Sequence, residues 1–136
     1  MAEDEHQIDI RRDYDPSIPE MEADPDQLIQ AILNITRNAY QALGEEGTIT
    51  LRSRIERKYT LGKKRYDLVA RIEIIDNGPG IPEDMQDKIF FPMVTGRAEG
   101  TGLGLSIAQS LIQQHVGLLE VNSVPGRTVF SVLLPI

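Results

Sequence analysis

The sequence lacks cysteine, long apolar runs, low-complexity tracts and any basic stripe. Without cysteine, the chain forms no disulfide and no thiolate metal site, which fits a reducing compartment. No apolar run approaches the ~20 residues that span a bilayer, and the acidic start MAEDEHQ is unlike a basic signal peptide. We therefore expect a cytoplasmic protein.

Size and charge narrow the class of protein further. The 136 residues fit one domain with one core, and 40% apolar with 26% charged residues is typical of a globular chain. A net charge of −7, with Lys and Arg scattered along the chain, argues against nucleic acid as the main partner. A phosphate-bearing ligand would therefore need a cation to help it bind.

Apolar periodicity predicts about five or six mostly antiparallel strands and three helices. The alternation in residues 8–14 predicts a short strand, and residues 21–23 are expected to form a second one. Two longer alternating runs, 48–59 and 66–76, predict an antiparallel pair. Because strands and helices mix without regular alternation, the fold class is α+β, a two-layer sandwich with helices over one face of a sheet.

The first long helix has clear start and stop signals. Asp24 is the expected N-cap, Pro25 occupies the first turn, Gln27 is the capping-box partner, and the helix ends near Gly44. Its core face is predicted to contain Leu28, Ile32, Ile35, Ala39 and Ala42, widened by Ile29, Leu33 and Tyr40.

Three glycines at alternate positions, in EGTGLGLS, precede a second long helix. Each glycine inside a helical turn costs about 1 kcal/mol relative to alanine, so the segment needs another reason for them. The P-loop and dinucleotide fingerprints both fail here, but bare backbone N–H groups at a helix start can still bind phosphate. A mobile surface loop is the alternative interpretation.

Two further patterns carry polar groups to places where a ligand could lie. Asp76 ends an apolar strand before NGPG and can accept a hydrogen bond from an exocyclic amine such as that of adenine; an Asx turn is the alternative. Asn34 and Asn38 lie one turn apart on the same helix face, and their amide oxygens are hard ligands for Mg²⁺. Taken alone, the two asparagines are better explained as a solvated polar stripe.

Taken together, these motifs resemble the nucleotide site of the GHKL superfamily, which includes gyrase, Hsp90, MutL and the histidine kinases. AILNITRNAYQAL is similar to the kinase N box, DNGPG to the G1 box, KIFFPMVTGR to the F box with a short lid, and EGTGLGLSIAQSLI to the G2 box. The likeness runs from RRDYDPSIPE to VLLPI, and RDYDPSIPE, RNAYQAL and FFPMVTGR resemble the nitrogen-regulation branch of the sensor kinases. The resemblance implies the Bergerat ATP-binding fold.

At the adenine end, the resemblance implies a role for five residues. Asp76 would recognise the adenine amine, Gly78 and Gly80 would let the base approach the chain beside Ile81, and Thr128 would back the site from the last strand.

At the phosphate end, the resemblance implies that Asn38 is the Mg²⁺ ligand and that Asn34 supports the phosphates of ATP. Arg97 is the candidate cation for the γ-phosphate, although an ordinary surface arginine is the alternative. The triphosphate would be lined by Gly100, Thr101, Gly102, Leu103 and Gly104.

Two positions depart from the pattern of relatives. Gln41 stands where many sensor kinases have a lysine, which puts one phosphate contact in doubt. Asn34 stands where the ATPases of the superfamily have a glutamate general base. Because an amide cannot take a proton from water, hydrolysis is disfavoured and transfer to another nucleophile is favoured.

The acceptor for that transfer is not evident in the sequence. Neither His6 nor His115 lies in an H-E-x-x-N-P-like motif, and His115 is explained by the dipole of the helix that it ends. We therefore expect residues 1–136 to be one catalytic and ATP-binding domain of a histidine kinase, a monomeric fragment without the dimerisation domain that carries the histidine. The full protein would be dimeric.

The resemblance also implies partners, namely a PII-type signal protein and an NtrC-type response regulator, with no role for nucleic acid or membrane. Two alternatives remain open. The chain could be a non-catalytic module that docks a regulator when ATP orders its lid, or it could be an ATPase or a serine kinase of the same superfamily.

Overall fold

The computed structural model describes residues 7–90 and 104–136, which form five strands and three helices. The elements in chain order are β1 (Gln7–Asp13), α1 (Pro25–Leu43), β2 (Glu46–Leu61), β3 (Lys64–Asp76), α2 (Glu83–Gln86), α3 (Gly104–Gln114), β4 (Leu118–Val124) and β5 (Arg127–Pro135).

The strands form one sheet in the order β1-β2-β3-β5-β4. Among the described strands, β1 and β2 run parallel and the other pairs are antiparallel. Helices α1 and α3 pack together and cover one face of the sheet, whose inward side chains join theirs in a single core. The predicted two-layer α+β sandwich is confirmed.

Helix α1 begins and ends where the sequence predicts. The Asp24 carboxylate accepts hydrogen bonds from the backbone N–H groups of Asp26 (3.1 Å) and Gln27 (3.2 Å), and Gly44 follows the last turn with a φ of 73°. The reciprocal half of the capping box is absent among the described contacts. The Asp24 N–H instead donates to Nε2 of His115, 3.1 Å away.

The core face of α1 is narrower than predicted. Ile35 and Ala39 are fully buried and Leu28, Ile32 and Tyr40 pack against the core, as expected, but Ile29 is 57% exposed and Leu33 is 48% exposed. These two side chains lie beyond the arc of the helix that faces the sheet, so burying that arc leaves them in solvent.

The predicted second strand at residues 21–23 is also wrong. This segment carries no regular secondary structure, although Met21 packs against the core. A strand needs a neighbour for backbone pairing, and the described sheet offers residues 21–23 none. Apolar alternation alone therefore produced a false strand.

Arginine and aspartate side chains pair on the face of the sheet that has no helices. The Asp13 carboxylate accepts hydrogen bonds from Nη2 of Arg54 (2.7 Å) and from Nε of Arg52 (3.1 Å). The hydrogen bond from Arg54 is the main cause that lowers the pKa of Asp13, and the same bond raises the pKa of Arg54. Among the described helices, none is long and apolar enough to cross a membrane.

Candidate nucleotide-binding site

Asp76 ends the central strand β3 and lies inside the fold, with 2% of its surface exposed. Its neighbours in the ladder are Ile49 on β2 and Thr128 on β5. One carboxylate oxygen, Oδ1, accepts the backbone N–H of Gly78 at 2.9 Å. A buried carboxylate needs hydrogen-bond donors, and this bond fixes the orientation of the group at the point where the strand becomes a turn.

A hydroxyl network joins the turn after Asp76 to the hairpin between β4 and β5. Oγ of Ser123 accepts the N–H of Ile81 at 2.8 Å and lies 2.7 Å from Oγ1 of Thr128. The Gly126 N–H donates to the carbonyl of Gly78 at 3.0 Å. The turn and the hairpin together border a groove of about 670 Å³. The predicted neighbours Asp76, Gly78, Ile81 and Thr128 therefore do come together.

The protein's own packing requires glycine at position 80 and leaves little room for a Cβ at position 78. A Cβ on Gly80 would lie 2.8 Å from the Val124 carbonyl oxygen, and its φ of 89° disfavours any other residue. A Cβ on Gly78 would lie 3.0 Å from Oδ1 of Asp76 and 3.4 Å from the carbonyl oxygen of Ala42. Close approach of a nucleotide base to these glycines stays a prediction.

The turn after Asp76 lies against the end of α1, since the Ala42 carbonyl is next to Gly78. Asn38 is one turn earlier in that helix, and Asn34 is one turn before it. Both side chains are half-buried beside the core face, whereas Gln41 is exposed. The fold therefore brings α1, the asparagine helix that carries Asn34 and Asn38, and the buried Asp76 carboxylate to the same end of the sheet.

Gly104, at the first described position of α3, has a different environment from the glycines of the turn. A Cβ built there meets no atom within 4 Å, so the described fold does not require glycine at this position. The other predicted phosphate-lining residues, Gly100, Thr101, Gly102 and Leu103, lie outside the described residues, as do Arg97 and His6.

Three polar residues of the site were missed by the sequence analysis. Ser123 is buried, Nε2 of Gln86 donates to the carbonyls of Ile81 (3.0 Å) and Ser123 (3.1 Å), and the Asn77 side chain accepts the N–H of Thr48 at 2.8 Å. Ser123 carried a detectable signal, because it occupies an inward position of β4 where Leu119 and Val121 are apolar. Gln86 and Asn77 carried none, because the contacts of Gln86 with Ser123 and of Asn77 with Thr48 join residues that are 37 and 29 positions apart in sequence.

The polar side chains near the site suit a metal ion that is bound partly by the protein and partly by the phosphates of a ligand. In the part of the chain that the structure describes, no cluster of three or more His, Asp or Glu side chains forms a metal cage. The Asn38 amide would supply one hard oxygen. Mg²⁺ is held in proteins by a few such oxygens together with substrate phosphates and water, so the residues fit a metal that arrives with a nucleotide.

The fold, the buried Asp76 carboxylate with its glycine turn, and the asparagines of α1 fit one class of ATP-binding domain. The family model for the histidine kinase-, DNA gyrase B- and HSP90-like ATPases matches residues 23–136, and the chain belongs to that family. Within the family it is similar to the catalytic domain of histidine kinase ThkA, in a nucleotide-free form. The TM-score is 0.77 at 34% identity, over 94% of this chain and 78% of that one.

The relatives found by sequence are sensory histidine kinase/phosphatases. The chain is 61% identical over 130 residues to the sensory histidine kinase/phosphatase NtrB of Klebsiella oxytoca, and 46% identical over 132 residues to that of Rhodobacter capsulatus. These matches cover 95% and 93% of this chain but only 37% of each relative. ThkA has also been solved in complex with the response regulator TrrA, and this chain matches that kinase with a TM-score of 0.72 at 32% identity, over 94% of this chain and 34% of that one.

Proposed function

We propose that this chain binds Mg-ATP and transfers its γ-phosphoryl group to a histidine on a separate dimerisation domain. Residues 1–136 would act as the single catalytic and ATP-binding domain of a sensor histidine kinase in nitrogen regulation. The observation that carries the proposal is the buried carboxylate of Asp76, oriented by the Gly78 N–H at 2.9 Å beside the end of the asparagine helix.

Asp76 gives the site its selectivity for adenine. Its carboxylate accepts a hydrogen bond from the exocyclic amine of the base, while the hydrogen bond from the Gly78 N–H holds Oδ1 in position. Thr128 and Ser123 hold the turn after Asp76 in place. Their hydroxyl oxygens lie 2.7 Å apart, and Oγ of Ser123 also accepts the N–H of Ile81. A site that is ordered before the ligand arrives loses less entropy when it binds.

At the phosphate end, the Asn38 amide oxygen would hold Mg²⁺, with Asn34 beside it. When bound, the metal neutralises phosphate charge and so lowers the barrier to phosphoryl transfer. The backbone N–H groups at the start of α3 receive the phosphates, and Arg97 is the proposed cation at the γ-phosphate. Asn34 cannot accept a proton from water, which favours transfer over hydrolysis.

The acceptor histidine must come from outside the described part of the chain. His115 uses both ring nitrogens, since Nδ1 lies 2.9 Å from the Leu111 carbonyl and Nε2 accepts the Asp24 N–H. A nitrogen engaged in this way is not available to attack phosphate. We further propose an NtrC-type response regulator as the recipient of the phosphoryl group and a PII-type protein as the regulator.

The test incubates the chain with γ-labelled Mg-ATP, with and without a separately made dimerisation domain that carries its histidine. Two variants, Asp76→Asn and Asn38→Ala, are compared with the matched controls Asp67→Asn on β3 and Asn122→Ala on β4, both exposed. We expect acid-labile label on the added domain, lost in the two site variants and retained in the two controls.

The other outcomes identify the alternative functions. Free phosphate released without the added domain indicates an ATPase, and acid-stable label indicates a serine kinase. ATP binding that protects backbone amides from exchange but yields no transfer indicates a regulator-docking module.

A further inference from the structure

The hairpin of β2 and β3 projects beyond the rest of the sheet. Pairing with β1 stops at Arg52 and pairing with β5 stops at Val69, whereas β2 and β3 stay paired to Leu61 and Lys64. The two-residue turn begins with Gly62 at a φ of 62°, as in a type II′ hairpin. We call residues 57–66 the hairpin tip.

The hairpin tip concentrates positive charge in an acidic chain. It carries five of the 14 Lys and Arg side chains, all exposed and without a carboxylate among them: Arg57, Lys58, Lys63, Lys64 and Arg65. None of the five forms a salt bridge with a carboxylate of the described residues. Lys and Arg as a whole are scattered along the sequence, but strand pairing gathers these five at one end of the molecule.

The hairpin tip is held in a fixed shape. Lys58 has a left-handed backbone with a φ of 52°, and beyond it Tyr59 and Leu61 turn to the face without helices. There Leu61 is buried with Val69 and Leu133, and Tyr59 and Tyr66 pack against the three. A lysine rarely adopts this conformation, so the packing of the hairpin must impose it.

We propose that the hairpin tip is a docking surface for a carboxylate-rich face of another protein. The five cations of the tip are complementary in charge to carboxylates. The fixed backbone presents these cations without a large cost in conformational entropy. Carboxylates bracket the tip at Glu56 and Asp67, which limits the basic surface to a small footprint. This surface goes beyond the proposed function, because β3 at about 3.3 Å per residue separates Lys64 from Asp76 by roughly 40 Å.

Nucleic acid fits the hairpin tip less well than protein does. Proteins that bind single strands stack bases on exposed aromatic rings. Here Nζ of Lys64 lies 5.1 Å from the centre of the Tyr66 ring, and the Arg71 guanidinium lies 5.6 Å from that of Tyr59. The two tyrosines therefore already have cations over their rings and support the hairpin.

The experiment measures binding of fluorescent polyglutamate to the 136-residue chain by anisotropy, at low and at physiological salt. A tip variant, Arg57→Gln with Lys63→Gln and Arg65→Gln, is compared with a control of equal charge change, Arg12→Gln with Lys88→Gln and Arg127→Gln. All six residues are exposed. A labelled DNA duplex is the second probe, and ATP affinity is measured in parallel.

We expect the tip variant to bind polyglutamate about tenfold more weakly and with a smaller salt dependence, because exposed ion pairs contribute little singly and add in a cluster. The control should change by about twofold or less, and ATP affinity should be the same in all three proteins. Equal losses in the tip variant and the control, no binding of polyglutamate by the unmodified chain, or tighter binding of the duplex than of polyglutamate would each overturn the proposal.

Discussion

Nε2 of His115 accepts the backbone N–H of Asp24 at 3.1 Å, which ties the residue after α3 to the N-cap of α1 across 91 positions of sequence. Nδ1 of the same ring lies 2.9 Å from the Leu111 carbonyl. The two contacts define the neutral tautomer with hydrogen on Nδ1, since Nδ1 must donate and Nε2 must accept. His115 therefore adds a polar link between the two helices, which also pack together through their buried side chains.

Replacing His115 with alanine should lower the free energy of unfolding by about 1 kcal/mol, because the exposed Asp24 N–H exchanges its protein acceptor for water. Urea denaturation measures the change. Gln113→Ala, an exposed substitution in the same helix, serves as the control and should change the free energy by about 0.5 kcal/mol or less. Equal stability of the two variants would show that the hydrogen bond between Asp24 and His115 contributes nothing to the free energy of unfolding.

A second prediction concerns the hydroxyl network beneath the turn. Ser123→Ala removes the acceptor of the Ile81 N–H and the partner of Thr128, so we expect a loss of about 1–3 kcal/mol. The same variant should weaken ATP binding, because the turn after Asp76 loses an anchor. Ser110→Ala on α3, which is exposed, is the control. Unchanged stability and ATP affinity in Ser123→Ala would contradict the role of this network.

The same substitution at two glycines should have opposite effects on stability. Gly80→Ala forces a Cβ to 2.8 Å from the Val124 carbonyl at a φ of 89°, so it should destabilise the fold by more than about 1 kcal/mol. Gly104→Ala meets no atom within 4 Å in a helix, so it should stabilise by up to about 1 kcal/mol.

Gly104→Ala should nevertheless weaken ATP binding, because a methyl group now stands where the phosphates approach bare backbone. Thermal denaturation and ATP titration of the one variant give both results. A Gly104→Ala protein that gains stability and keeps its ATP affinity would remove the proposed reason for this glycine.

The Asp13 carboxylate makes stability depend on pH in the acid range. Its folded pKa is lowered, chiefly by the hydrogen bond from Arg54, so its contribution is complete above the unfolded pKa of about 3.9. The contribution is lost as the pH falls through the lower, folded value. Asp13→Asn should therefore flatten the fall in stability below about pH 4, and denaturation curves measured across that range check it. An unchanged acid slope would contradict the pairing with Arg52 and Arg54.

Local signals predicted the fold better than they predicted the site. The N-cap at Asp24 and the stop at Gly44 depend on neighbouring residues, so the bounds of α1 were correct. The exposure of Ile29 and Leu33 depends on how wide an arc of the helix the sheet covers, which no local pattern records.

At the candidate site, the strand pattern alone left Asp76 open to an Asx-turn interpretation, and the resemblance to the superfamily motifs singled it out; its burial at the end of β3 is consistent with that prediction. The partner of the Asp24 N–H could not be identified from the sequence, because His115 reaches that N–H only when α1 packs on α3. Ser123 lies between these cases. Its inward position on β4 was visible in the sequence, but its contacts with Ile81 and Thr128 depend on the fold.

The most direct test of the central claim is the affinity of the chain for Mg-ATP, measured by calorimetry for the unmodified protein, Asp76→Asn and Asp67→Asn. Asparagine at position 76 can still accept the Gly78 N–H but replaces the carboxylate that receives the adenine amine. We predict a loss of affinity of about ten- to a hundredfold for Asp76→Asn and none for Asp67→Asn. Equal ATP affinity in all three proteins would contradict the assignment of Asp76 as the anchor of the nucleotide.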